Sequence, residues 1–277
     1  MQMQLRKRLR RACFAGLLLI SPSCQALSNF NLFPPAQDVE MGLQAYDEVL
    51  ANERVINSGA QVTMVREIMD RLVQAARVEK PDLVDLFQWE VKLLDNDGTV
   101  NAFCLPGGKM AVYTGILPVA ETDAGLAVVM GHEIAHALER HGTEAVTRQM
   151  GISVVLQILS GGDPDQMSVL ASNLLSLRFG RGAELEADAS GLRYMARAGY
   201  DPREASAFWR RMAALGGGAP PEWLSTHPSN ENRISQIEDL LPEALDLYEQ
   251  AIGAPAPPPP AGTGDAPKKS IGGTLPR

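Results

Sequence analysis

Residues 126–138 read Leu-Ala-Val-Val-Met-Gly-His-Glu-Ile-Ala-His-Ala-Leu, an apolar run that contains two histidines and a glutamate. Its apolar residues recur at helical spacing and predict a helix over 122–141. Because His132 and His136 are four residues apart, both imidazoles lie on one face of that helix and can bind one metal ion. Glu133 lies beside this face, where it can take a proton from a metal-bound water. The stretch therefore predicts a catalytic metal centre of the HExxH type.

A third ligand is expected from the acidic stretch 184–188, which lies on a predicted helix over 182–198. A catalytic zinc site has three protein ligands and one position left for water. Glu184 is the predicted third ligand, and Asp188, one helical turn later, is predicted to accept a hydrogen bond from a ligating imidazole. Glu186 points round the helix from Glu184 and is expected to be a surface or packing residue. We therefore expect one Zn²⁺ per chain.

The chain has four histidines and three cysteines. On the predicted helix, His141 lies five residues beyond His136, about 140° round the axis, and is expected to be a surface or structural residue. The spacing of His227, in a loop before a helix, assigns it no role. Cys104 is either a catalytic thiol or, as we favour, a small buried strand residue.

The remaining periodicity predicts a mainly helical α+β fold, with a short three-stranded sheet beside the helix of residues 122–141. The predicted strands cover 87–93, 100–105 and 109–114. The other predicted helices cover 36–57, 61–79, 143–160, 165–178, 182–198, 202–215 and 229–249. The glycine-interrupted segment 142–181 is either a lid over the cleft or a set of packing helices.

The N-terminus has the pattern of an export signal. Residues 6–11 carry five cations, and the apolar run 12–20 that follows is too short to span a bilayer. Residues 1–26 are predicted to be a signal peptide cleaved after Ala26, with lipoprotein processing and acylation at Cys24 as the alternative. No later run reaches 18 apolar residues, so no membrane span is expected. The predicted location is periplasmic, anchored at the outer membrane if Cys24 is acylated.

Composition indicates the bounds of the domain and the class of partner that it does not bind. The catalytic domain is expected over residues 28–252, and the Pro- and Gly-rich stretch 253–277 is predicted to be a disordered tail. Beyond residue 26 the chain has 20 Lys and Arg against 33 Asp and Glu, and aromatic residues make up 5% of the whole. Because phosphate binding needs clustered cations and base stacking needs aromatic side chains, nucleic acid is excluded as a partner.

Several motifs in order resemble those of the zinc endopeptidases related to the heat-shock protease HtpX and the CAAX prenyl protease. They are His132-Glu133-x-x-His136, Glu184-x-x-x-Asp188 with Ala187, His227-Pro228 with Arg233, Asn101-Ala102-Phe103, Pro106-Gly107-Gly108-Lys109 and Tyr113-Thr114-Gly115. The resemblance covers about residues 36–245. It is greatest to a soluble exported branch that includes the β-barrel assembly-enhancing protease and OMA-type proteases.

That resemblance implies a zincin-like fold and further site residues. It implies that Glu184 is the third zinc ligand, that His227 steadies the oxyanion or acts as a gate, and that Arg233 supports the same site. It also implies that the strand containing Asn101, Ala102 and Phe103 pairs with the substrate backbone.

Two functions follow from these expectations. The first is a zinc metalloendopeptidase that cleaves misfolded or unassembled cell-envelope proteins, with Glu133 as the general base. The second is a non-catalytic or latent chaperone-like assembly factor in which His227 occupies the open metal position. A structural zinc site has no use for a base beside its ligands, so Glu133 favours the enzyme.

Overall fold

The computed structural model describes residues 31–151, 155, 174–215, 221–227 and 233–253. The predicted signal peptide, the alternative acylation site Cys24 and the predicted tail after Gly253 lie outside these residues. So do residues 152–154 and 156–173 of segment 142–181, which is predicted to be either a lid or a set of packing helices. No described helix is both long enough and apolar enough to cross a bilayer.

The described elements confirm the mainly helical α+β prediction. The helices are α1 (Pro35–Asn52), α2 (Ala60–Ala76), α3 (Pro81–Leu86), α4 (Leu117–Ala120), α5 (Asp123–Leu138), α6 (His141–Met150), α7 (Arg181–Arg197), α8 (Glu204–Ala214), α9 (Glu222–Thr226) and α10 (Arg233–Gly253). The strands are β1 (Val55–Ile56), β2 (Glu90–Leu94), β3 (Ala102–Leu105) and β4 (Lys109–Tyr113).

The sheet has four strands in the order β1-β2-β4-β3, so the prediction of three strands is wrong. The missed strand lies at the end of the stretch predicted as helix 36–57. Helix α1 ends at Asn52, and the β-branched pair Val55 and Ile56 then joins β2 in antiparallel register. Strands β2 and β4 are parallel, whereas β3 runs antiparallel to β4 and forms one edge of the sheet.

Helix α5, which carries the HExxH motif, runs through the centre of the core. Every residue from Gly125 to Leu138 is buried, as expected of a helix that is apolar on all sides. The helix begins at an N-cap in which the Thr122 hydroxyl accepts a hydrogen bond from the Gly125 N–H at 3.0 Å. Burial on all sides holds α5 in place between β3, α2 and α7.

Helices α5 and α7 cross at two glycines. A Cβ added at Gly191 would lie 2.8 Å from the backbone nitrogen of His132 and 2.9 Å from the carbonyl carbon of Gly131. A real Cβ atom is essentially never found this close to another heavy atom, so the absence of a side chain at Gly191 lets the two backbones come into direct contact. This contact brings the acidic residues of α7 up to the histidines of α5.

Helix α5 ends at Leu138, three residues before the end of the predicted helix. Arg140 adopts a left-handed conformation with φ of 60°, and α6 begins at His141. The Arg140 guanidinium donates to both carboxylate oxygens of Asp38 on α1, at 2.6 and 3.0 Å, and Asp38 is fully buried. The bend is therefore stabilised by a contact between residues distant in the chain.

The contact between α5 and α7 predicts that an added methyl group lowers stability at Gly191 but not at Gly182. Gly191→Ala is expected to lower the free energy of unfolding by about 1–3 kcal/mol, because only backbone atoms could move aside. Gly182→Ala on the same helix meets no atom within 4 Å and is expected to change stability by less than about 1 kcal/mol. Chemical denaturation of the two variants measures the difference; equal stability would show that the helices are not in contact at Gly191.

Candidate metal centre

Three side chains from α5 and α7 converge on one point. The Nε2 atoms of His132 and His136 lie 3.0 Å apart. The Glu184 carboxylate lies 3.6 Å from the first imidazole nitrogen through Oε2 and 3.4 Å from the second through Oε1. All three residues are buried. The structure thus brings together the three residues that the sequence predicts as zinc ligands.

His227, which follows the short helix α9, contributes a fourth ligand-type atom. Its Nδ1 lies 3.2 Å from His132 Nε2 and 3.1 Å from Glu184 Oε1. The ligand atoms of the four residues all lie within 4.8 Å of one another. Tetrahedral ligands at zinc distances are roughly 3.3–3.6 Å apart, so a donor set of imidazole nitrogens and one carboxylate at these separations fits Zn²⁺.

Glu133 lies beside the ligand set and is held by α9. The Trp223 indole Nε1–H donates to Glu133 Oε1 at 2.7 Å, and His227 Nε2 lies 3.3 Å from the same oxygen. Trp223 is fully buried, and its role in the site is not among the sequence predictions. The signal was its spacing, because Trp223 and His227 are four residues apart and so approach the site from one side of a helical turn.

Arg233 and Asp188 support the ligands from behind. Asp188 Oδ1 lies 2.9 Å from His132 Nδ1, the position predicted for it. The Arg233 guanidinium donates to Asp188 Oδ2 at 2.7 Å through Nε and to Glu184 Oε2 at 2.8 Å through Nη1. It also stacks 3.7 Å over the Trp209 ring. Both carboxylates are therefore oriented by one buried cation.

Burial and these contacts raise the pKa of some residues of the site and lower the pKa of others. Burial lowers the pKa of His136, whereas for His132 the hydrogen bonds to Asp188 and Glu184 outweigh burial and raise the pKa to about 9. For Glu184, burial opposes ionisation, but hydrogen bonds from the three surrounding imidazoles lower its pKa. Burial also opposes ionisation of Asp188, but Arg233 lowers the pKa of that carboxyl below its usual value. Both carboxylates are therefore ionised at neutral pH.

The edge strand β3 forms one wall of a cleft over this site. Asn101, Ala102 and Phe103, the predicted substrate-binding residues, line the same cavity as Glu133 and His227. Cys104 follows them on β3 as a free, half-buried thiol. Burial and the nearby Glu133 charge raise the Cys104 pKa, which disfavours the thiolate and so disfavours a catalytic thiol.

Of the two roles expected for His141, surface or structural, the structure supports the structural one, because the residue is buried. The prediction that His141 lies on the HExxH helix is wrong, because the bend at Arg140 starts a new helix and turns His141 back toward the site. Its side chain is buried, and its Nδ1 lies 2.9 Å from His136 Nδ1. Phe179 stacks on His136 with ring centroids 4.1 Å apart. Both contacts were missed because neither follows from spacing within one helix.

Two imidazoles on a buried helix, a base between them and a carboxylate ligand from a second helix together define a zinc metallopeptidase. A family model for Peptidase family M48 matches residues 60–241, and the chain belongs to this family. The predicted enzyme class, metalloendopeptidase, and the predicted cofactor, zinc, are thereby confirmed. The specific HtpX or prenyl protease type is not distinguished within the family.

Three relatives illustrate the match. The chain is 41% identical to the mitochondrial metalloendopeptidase OMA1 of Arabidopsis thaliana over 165 residues, 58% of this chain and 34% of that protein. It is 39% identical to the protein of the same name from Schizosaccharomyces pombe over 212 residues, 74% and 61% of the two chains. It is 27% identical to the β-barrel assembly-enhancing protease of Escherichia coli over 230 residues, 78% and 46% of the two chains. The matched part thus spans between about a third and about three fifths of these curated relatives.

The comparisons correct the predicted location. The periplasmic assignment, with anchoring at the outer membrane, was based on the pattern of residues 1–26. It is wrong on these comparisons, because the relatives of higher identity are named as mitochondrial proteases. The pattern of a basic start and a short apolar run did not identify the compartment.

The charge arrangement predicts a strong effect of removing the buried cation. Arg233→Met is expected to lower the free energy of unfolding by about 3–5 kcal/mol, because two buried carboxylates lose their partner. Added Zn²⁺ should restore part of the loss by binding the folded state. Arg210→Met, which breaks an exposed pair with Glu238, should change stability by less than about 1 kcal/mol. Denaturation with and without zinc measures the stability of both variants. Equal losses of stability in Arg233→Met and Arg210→Met, unaffected by zinc, would contradict this charge arrangement.

Proposed function

We propose that the chain hydrolyses peptide bonds in misfolded or unassembled polypeptides, with Zn²⁺ held by His132, His136 and Glu184. The observation that carries this proposal is the Glu133 carboxylate, which lies beside the ligand set and is held by the Trp223 N–H. A metal site that served only stability would gain nothing from a buried, positioned base at this point. The cell-envelope origin of the substrates stays a prediction.

The proposed division of labour follows from the contacts. Zinc, when bound, supplies a Lewis acid that polarises the scissile carbonyl and acidifies the attacking water. Because Oε1 of Glu133 is held by Trp223, we assign proton transfer to Oε2, which accepts the proton of the attacking water and passes it to the leaving amine. The buried indole fixes the orientation of the base during both transfers.

His227 and Arg233 take different roles in this proposal. His227 faces the cleft and can donate a hydrogen bond to the oxyanion of the tetrahedral intermediate, an effect of about 3 kcal/mol in comparable sites. Arg233 is buried behind the ligands and contacts Glu184 and Asp188. It is therefore a positioning residue, which acts through the side chains it orients.

The edge strand beside the cleft favours unfolded substrates. β3 is an edge strand, so an extended peptide can add to it through backbone hydrogen bonds that do not depend on sequence. Such pairing requires a substrate segment that is not already part of a sheet or helix. The name of the related β-barrel assembly-enhancing protease fits a role on proteins during assembly, and we extend that role to this chain as part of the proposal.

The test separates chemistry from metal binding. Glu133→Gln is expected to abolish cleavage of casein while the chain retains about one zinc, because the amide cannot accept the proton. Glu238→Gln, at an exposed residue, is the matched control and should cleave normally. Peptide release and zinc content by atomic absorption are measured together. Cleavage by Glu133→Gln would overturn the mechanism, and zinc retention by a His136→Ala, Glu184→Ala double variant would overturn the ligand set.

A second function is favoured by the position of His227. Its Nδ1 lies at ligand distance from the same centre as the three predicted ligands. As a fourth ligand it would fill the position that water needs, and the chain would then be latent or act as a chaperone-like binder of unfolded segments. The two functions differ in what His227 does.

Removal of the His227 side chain distinguishes them. If His227 donates to the oxyanion, His227→Ala should lower kcat by about 100-fold with zinc affinity unchanged. If His227 is a fourth ligand, the same variant should bind zinc more weakly and cleave casein faster. Kinetics and a zinc competition titration on one preparation measure both quantities. We expect the fall in kcat; faster cleavage would instead support the latent form.

A further inference from the structure

His136 is contacted from the side opposite the metal centre by a second histidine. Its Nδ1 lies 2.9 Å from Nδ1 of His141, and the two rings meet edge to face at 70°. The other ring nitrogen of His141, Nε2, lies 3.4 Å from Oε2 of Glu186. His141 is buried, whereas the Glu186 side chain reaches solvent. A continuous line of contacts thus runs from the surface to a zinc ligand.

From this line we infer that His141 and Glu186 form a positioning pair that fixes the tautomer and ring orientation of His136. The inference rests on the proposed role of His136 as a zinc ligand. Neither His141 nor Glu186 touches substrate or metal in this arrangement. Their effect on the reaction passes entirely through the ligand that they hold.

The positions of the protons follow from the geometry. A ligating Nε2 carries no proton, so the proton of neutral His136 is on Nδ1. Two ring nitrogens 2.9 Å apart share one proton, and Nδ1 of His141 must then be the acceptor. The proton of His141 is left on Nε2, which faces the Glu186 carboxylate. Each donor in the line meets an acceptor.

Helix α7, which carries Glu186, also supports His132, the other ligating histidine, and does so by direct contact. Asp188 of α7 contacts Nδ1 of His132 directly at 2.9 Å. Glu186, two residues earlier, points to the other side of α7 and reaches His136 only through His141. Three alternate acidic residues of α7 therefore have two kinds of role: Glu184 is the ligand, and Asp188 and Glu186 support the two imidazoles. Supports of this kind raise ligand basicity and fix the ring.

The pair makes a direct prediction for zinc affinity. His141→Leu removes the acceptor and is expected to weaken zinc binding by about 10- to 100-fold. His141→Asn places an amide oxygen near the former Nδ1 position and should retain most of the affinity. Glu186→Gln should cause a smaller loss, and the His141→Leu, Glu186→Gln double variant should bind no more weakly than His141→Leu alone. Competition with a chromogenic chelator measures each affinity on the full chain.

A control and a second measurement keep the inference testable. Thr147→Val alters a buried residue of the same helix, α6, without contact to His136, and its zinc affinity should equal that of the unaltered chain. With four histidines in the chain, ¹⁵N–¹H imidazole spectra of the zinc-loaded protein can report each tautomer without any substitution. We expect the His136 proton on Nδ1 and the His141 proton on Nε2.

The outcomes separate this inference from the proposed function. Unchanged zinc affinity in His141→Leu, or an equal loss in Thr147→Val, would overturn the positioning pair, as would a His136 proton on Nε2. Unchanged zinc affinity in His136→Ala would instead overturn the ligand set on which the proposed function depends.

Discussion

The contact between the backbones of α5 and α7 at Gly131 and Gly191 is the constraint on which the site depends. One helix carries the two imidazoles and the other the carboxylate that we propose as zinc ligands, so the distance between the helix axes sets the distance between these groups. Metal–ligand distances tolerate only about 0.2 Å. A methyl group at the crossing would separate the helices by more than that. The two glycines are thus a condition for metal binding as well as for packing.

The second constraint is charge. Glu133, Glu184 and Asp188 are buried within one small volume, and Arg233 contacts two of them. Buried carboxylates are stable only when paired with cations or hydrogen-bond donors. The guanidinium supplies one positive charge from behind, and the Trp223 indole supplies a neutral donor to the remaining carboxylate. This balance leaves net negative charge facing the point where the ligand atoms converge, as a divalent cation requires.

Local sequence patterns predicted the features that depend on a single helix. The i, i+4 spacing identified His132 with His136 and Glu184 with Asp188, and helical periodicity placed both pairs. Contacts between distant segments were not predictable in this way. The prediction of helix at strand β1 is wrong because the partner of this strand, β2, begins some 35 residues later, where no local pattern shows it. The bend at Arg140, which brought His141 back to the site, depends on Asp38 of α1, 102 positions away. Roles for His227 and Arg233 are implied by the resemblance to known proteases, since no spacing relates either residue to the HExxH motif.

Helix α9 has only five residues, yet two functions converge on it. Trp223 holds the base and His227 follows directly, so one rigid turn carries both groups. Its described backbone contacts to the body include bonds from the Trp223 N–H to the Val100 carbonyl and from the Phe179 N–H to the Thr226 carbonyl, each 3.3 Å long. A displacement of this turn would move both the indole that holds Glu133 and the His227 imidazole. A substitution that shifts this turn therefore affects both groups at once.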